Sequence, residues 1–142
     1  MKATITLIII FIFGFLSVTN AQISQEEEHN YIPLIDRLEL NESYNITIRS
    51  VGCFNNTAKT LTIYRNEHDL IATLNDTTIN LNPSKKEALR NFEIDLKKIS
   101  VAGCSTIDTY ILKYRNKSST YRDASCSNFY AKSLLQKLGF SN

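Results

Sequence analysis

At 142 residues the chain is long enough for one hydrophobic core of ordinary size and too short for two comfortable domains. Its formal charge of +2 is spread thinly, which argues against nucleic acid, a partner usually gripped through a concentrated basic face. The densest basic pairs, Lys85–Lys86 and Lys97–Lys98, fall at the two ends of one predicted helix and read as a solvated face.

The first residues have the three parts of a secretory signal in order. Lys2 is the positive end, residues 7–16 are an apolar run, and Thr19 and Ala21 place small residues before a cut at Gln22. Even counted from Ala3 to Val18 the apolar stretch is 16 residues, short of the roughly 20 that a membrane span needs, and no basic stop-transfer cluster follows. Residues 1–21 are therefore read as a cleaved signal, leaving no integral membrane anchor. Removal of Lys2 takes the formal charge to +1. The expected home is secreted or periplasmic.

Residues 22–43 read as a polar lead-in (Glu26, Glu27, Glu28, His29) followed by a short amphipathic segment with Ile32, Leu34, Ile35, Leu38 and Leu40. Residues 44–142 read as a single α+β domain. From Tyr44 the period is two, with Tyr44, Ile46 and Ile48 against Asn45, Thr47 and Arg49, the signature of a half-buried strand. Asn55–Asn56 is turn chemistry, and a second strand carries Leu61 and Ile63 against Thr60, Thr62 and Tyr64. Residues 66–69 turn the chain into Leu70, Ala72 and Leu74, and Asn75–Asp76 turns it again into Ile79 and Leu81.

A helix is predicted over about residues 84–99. Asn82 or Ser84 can cap it, Pro83 suits its first turn, and Ser84-x-x-Glu87 has capping-box spacing. Leu89, Phe92, Leu96 and Ile99 form its apolar stripe, and Lys97 and Lys98 fit the last turn. A strand over residues 106–115 alternates Tyr110, Leu112 and Tyr114 with Thr109 and Ile111. Asn116–Lys117 is the expected turn into a return strand over residues 118–122. A final helix over residues 127–138 aligns Ala131, Leu134, Leu135 and Leu138, with Gly139 suited to the left-handed stop and Phe140 folding back on Leu135. The expected fold is an antiparallel sheet of about five or six strands with two helices packed on one face.

One internal echo stands out. Cys53 is followed after eleven residues by Tyr64-Arg65-Asn66, and Cys104 after ten by Tyr114-Arg115-Asn116. A diverged duplication and the common reuse of Tyr, Arg and Asn at strand-to-turn junctions both account for it.

Most catalytic signatures are missing. There is no Gly-x-Ser-x-Gly elbow, His-Glu-x-x-His helix or Gly-rich phosphate loop, so neither a cofactor nor a metal is expected. Of the two histidines, His29 falls in the lead-in and His68 in a turn. Cys53 with His68 is the one nucleophile–base pairing that can be drawn, and a buried inert thiol is the plainer account of Cys53. Without a Cys-x-x-Cys pair, structural zinc is not expected. Asp108 and Asp123 are the acidic residues most suggestive of a polar site. A turn at Asn116–Lys117 would place Asp108 opposite about Ser125, with both carboxylates near one sheet edge and suited to acid–base work. The plainer account is two strand-ending aspartates acting as turns and caps.

Three cysteines in an exported chain permit one disulfide and leave one thiol over. The same turn places Ile107 opposite Cys126, and a bend after Gly103 then favours Cys104–Cys126, with Cys53 the free or reactive thiol and Cys53–Cys126 the rival pairing. Sequons begin at Asn41, Asn45, Asn55, Asn75 and Asn116; they would be glycan acceptors in a eukaryotic chain, and the same Asn bias occurs in AT-rich bacterial genomes.

The pattern Gly52-Cys53-Phe54, then Gly103-Cys104-Ser105-Thr106-x-Asp108-x-Tyr110, then Asp123-x-Ser125-Cys126 resembles small exported bacterial proteins of uncharacterised function. The resemblance covers roughly residues 44–138. It implies a short antiparallel sheet with two helices and a periplasmic or secreted home, and it supplies no catalytic residues. The reading that follows is a non-enzymatic binding or interaction module, with a protein as the candidate partner. The alternative is a small hydrolase or thiol-redox protein using Cys53 or the Asp108/Asp123 pair.

Overall fold

The period-two segments of the sequence form strands whose apolar phase faces one side. In the computed structural model, which describes residues 31–52, 56–99, 103, 105–125 and 129–140, β1 (Ser43–Val51) buries Tyr44, Ile46 and Ile48. Strand β2 (Asn56–Arg65) buries Leu61 and Ile63, and β3 (Leu70–Leu74) buries Ala72 and Leu74. Strand β4 (Thr77–Asn80) completes a meander. After a helix the chain returns as β5 (Ile107–Tyr114), which buries Tyr110, Leu112 and Tyr114, and β6 (Lys117–Asp123). All neighbours pair antiparallel in one six-stranded sheet of order β4-β3-β2-β1-β5-β6, and the fold class is α+β as expected.

Two hairpins turn through two residues whose first member has positive φ, Asn75 at 52° and Arg115 at 51°. Asparagine tolerates that region better than other side chains do, and its presence marked the first turn in the sequence. Arginine has no such preference. The second turn is Arg115–Asn116, one residue earlier than the expected Asn116–Lys117, with Tyr114 opposite Lys117. The register of the whole hairpin shifts accordingly.

Helix α1 (Leu34–Arg37) is a single turn, and with Leu38 it puts Ile35 into the core. The short amphipathic segment thus belongs to the compact unit, which starts at Pro33. Helix α2 (Pro83–Leu96) is capped by Asn82, whose side chain accepts from the Lys85 N–H at 2.9 Å, and Pro83 takes the first position. Ser84 is not the cap, and Glu87 instead pairs with Arg90. Lys97 and Lys98 fall just past the helix, their N–H groups bonded to the Ile94 and Asp95 carbonyls. Helix α3 (Phe129–Leu138) ends as its sequence requires: Gly139 has φ +91°, its N–H bonds the Gln136 carbonyl, and the Phe140 N–H bonds the Leu135 carbonyl at 2.9 Å.

Leu89, Phe92 and Leu96 of α2 and Leu134, Leu135 and Leu138 of α3 share one buried cluster with the apolar phase of the sheet. The register also separates the two Tyr-Arg-Asn echoes. Tyr114 lies on the buried face of its strand, whereas Tyr64 lies on the opposite face and donates to Asn41. A one-residue difference in spacing reverses the face in a strand, so the two tripeptides are not structural equivalents.

Candidate functional site

Asp108 is in phase with Tyr110, Leu112 and Tyr114 along β5, and that phase is the buried one. Asp123 is the last residue of β6 and lies directly opposite Asp108. The expected partner of Asp108, Ser125, is displaced two positions by the earlier turn. The juxtaposition is therefore closer than anticipated, and both carboxyl groups are buried, at 4% and 2% exposure.

Asp123 in part acts as a turn former, because its Oδ1 accepts from the Ser125 N–H at 2.9 Å. Its Oδ2 has no hydrogen-bond partner among the described residues, and neither does Oδ1 of Asp108. Two residues along the same face, the fully buried hydroxyl of Tyr110 is likewise without one. The Ala131 N–H in the first turn of α3 approaches that hydroxyl without completing hydrogen-bond geometry. Burial, then the charges of Asp108 and Asp123, hold the Tyr110 phenol well above its ordinary titration range, so it keeps its proton.

The third buried acid, Glu93, is one that residue-by-residue motif reading passes over. It is fully buried on α2 and accepts from the Leu34 N–H at 2.5 Å, the Ile35 N–H at 3.2 Å and the Tyr44 hydroxyl at 2.8 Å. It thus serves as the cap that α1 lacks in its own sequence, since Pro33 offers no side-chain acceptor. Its spacing was the available signal: Leu89, Phe92, Glu93 and Leu96 share one helical stripe.

The remaining candidates are not brought together. His68 is exposed in the β2–β3 turn, where its N–H bonds the Asn66 side chain. Gly52 and Asn56, the described neighbours on either side of Cys53, lie at the opposite end of β1–β2. Cys53, Cys104, Cys126 and His29 themselves lie outside the described residues, as do the disulfide expectation and the signal. The described residues bounding the three cysteine segments share one end of the sheet, where Val51 pairs with both Asn56 and Ile107 and Asp108 pairs with Asp123. Gly52 is closely packed there: a Cβ on it would sit 2.7 Å from Thr106 Oγ1.

A cavity between α2 and α3, lined by Asn91, Phe92, Asp95, Tyr130 and Lys137 among others, has a volume of about 60 Å³, room for a water or two rather than a substrate. Among the described residues no group of three or more His, Cys, Asp or Glu side chains is assembled for a metal, and no helix is long and apolar enough to cross a membrane. Compared with known proteins, the chain matches no family model, no curated protein and no solved structure.

Opposite the buried face, the sheet presents a continuous polar surface. Its rows run Thr78–Thr73–Thr62–Asn45–Lys113–Ser118, then Thr60–Thr47–Ile111–Thr120, then Ala58–Arg49–Thr109–Arg122. None of these residues is buried. Side chains pair across the strands, Thr47 with Thr60 at 3.1 Å, Thr62 with Asn45 at 2.9 Å and Thr73 with Thr78 at 3.0 Å. Arg49, Lys113 and Arg122 are exposed there, and no acidic side chain shares this face of the strands.

Proposed function

We propose that this is a non-enzymatic binding module of an exported protein, and that its binding surface is the polar face of the sheet. The observation that carries the reading is the one-sided charge of that face. Arg49, Lys113 and Arg122 stand among threonines on a face whose described strand residues include no acidic side chain, although the chain as a whole is nearly neutral. The partner such a surface fits is an acidic surface of another protein, which guanidinium groups and hydroxyls can hydrogen-bond. Six strands of this length offer roughly 500 Å² of projected area, on the scale of the ~800 Å² each partner contributes to a standard interface. The signal-like residues 1–21 and the resemblance to small exported proteins support a secreted or periplasmic home.

The hydrolase alternative is less well supported. Asp108 and Asp123 are buried, and the cavity between α2 and α3 is too small to admit a substrate.

The test is retention on immobilised polyglutamate and on alginate as a function of salt. Wild type should be retained on polyglutamate and released by salt, and the triple variant Arg49→Glu, Lys113→Glu, Arg122→Glu should pass through while melting at nearly the same temperature. Retention on alginate alone would replace the protein partner with an acidic polysaccharide. Equal behaviour of variant and wild type would remove the sheet face from consideration.

A further inference from the structure

Asp108 and Asp123 form a buried pair of acids for which the described residues supply no cation: no Lys, Arg or His among them lies within ion-pairing distance of either carboxyl group. Each has an oxygen without a partner among the described residues, and so does Tyr110, whose hydroxyl is buried and feels the charge of both aspartates. Two like charges removed from water need compensation, because burying an unpaired carboxylate is strongly unfavourable. Tyr110 cannot provide it alone. A phenol has one hydrogen, carries no charge and can satisfy only one of the two free carboxylate oxygens.

We propose that Asp108, Asp123 and Tyr110 form a binding site for a hard divalent cation, Ca²⁺ or Mg²⁺. The ion's two charges match those of the carboxylates, and its preference for oxygen matches the three unpartnered atoms, Asp108 Oδ1, Asp123 Oδ2 and the Tyr110 hydroxyl. Two carboxylates and a phenol do not fill a coordination shell, so waters complete it. Placed there, the ion joins β5 to β6 at the sheet end from which the chain leaves for α3. It is independent of the polar sheet face, because both aspartates lie on the opposite side of the sheet.

The experiment uses Tb³⁺, which replaces Ca²⁺ among oxygen ligands and emits when a nearby tyrosine is excited; the chain has no tryptophan to compete. Purified protein stripped with EDTA should show saturable tyrosine-sensitised emission with one ion per chain. Whichever of Ca²⁺ and Mg²⁺ displaces Tb³⁺ at the lower concentration is the preferred ion. Asp108→Asn and Asp123→Asn should each weaken binding by about tenfold or more, and Tyr110→Phe should dim the emission. Ca²⁺ or Mg²⁺ should raise the melting temperature of wild type and leave both Asn variants unmoved. Absence of emission together with absence of any thermal shift in wild type would overturn the site, and that result needs no variant to fold. So would emission that survives in both Asn variants. A third overturning outcome is a pair of Asn variants that melt higher than wild type in EDTA while wild type ignores both cations, since the two acids would then repel one another without recruiting an ion.

Discussion

The ring of Phe92 on α2 meets the ring of Tyr110 on β5 edge to face, with centroids 5.6 Å apart and planes at 79°. This contact ties α2 to a strand that its own meander does not include. Phe92 is 5% exposed, and replacing it with alanine removes both the buried ring and the aromatic pair. Phe92→Ala should destabilise the protein by roughly 3–5 kcal/mol, and Phe92→Leu by much less. Urea unfolding measures both; a loss below about 1 kcal/mol for the alanine variant would place Phe92 outside the core.

Glu93 holds α1 against α2 by accepting from the Leu34 and Ile35 N–H groups while also accepting from Tyr44. Glu93→Ala leaves those buried donors without an acceptor, a change worth about 3–5 kcal/mol. Amide hydrogen exchange locates the damage. Leu34 and Ile35 should lose protection before the strands do, and uniform loss across the sheet would show that Glu93 is not specifically the cap of α1.

Asp36 takes two hydrogen bonds from Arg90, at 2.7 and 2.6 Å, with Lys86 at 3.4 Å. Hydrogen bonding to Arg90, partly offset by burial and reinforced by the charges of Arg90 and Lys86, holds its carboxyl below the usual aspartate range. A lowered folded-state value means that the contribution is complete above the unfolded value, about pH 4, and is lost as pH falls through the folded one. Because the pair is partly exposed, it amounts to about 1 kcal/mol or less. Asp36→Asn should therefore lower the urea midpoint slightly at neutral pH and leave it unchanged in strong acid. A gap that persists undiminished into acid would assign the effect to packing.

Export and disulfide formation are tested together on secreted material. The mature chain should begin near Gln22, and a non-reduced digest should contain a Cys104–Cys126 crosslinked peptide with Cys53 as the remaining thiol. In sequence, Cys104 lies four residues before Asp108 and Cys126 three residues after its strand partner Asp123. The closed loop would contribute on the order of 3 kcal/mol in a chain-entropy estimate. A crosslinked peptide containing Cys53, or a full-length membrane-retained product, would contradict these expectations.

Local chemistry was legible from the residues alone. The period-two strands, the Asn82–Pro83 helix start, the Asn75 turn and the Gly139 stop each depend on a few neighbouring residues whose backbone preferences are intrinsic, so the sequence determined them without reference to the rest of the chain. Tertiary structure decided the register of β5 against β6, where Arg115 adopts a positive φ that its side chain does not favour. Moving the turn by one residue shifts the pairing by two positions and brings Asp108 opposite Asp123. The same holds for the pairing of β5 with β1 and for the reach of Glu93 to residues 58 and 59 positions away. Such contacts are settled by how whole faces bury together, because a buried polar group must find its partner wherever the assembled core places one.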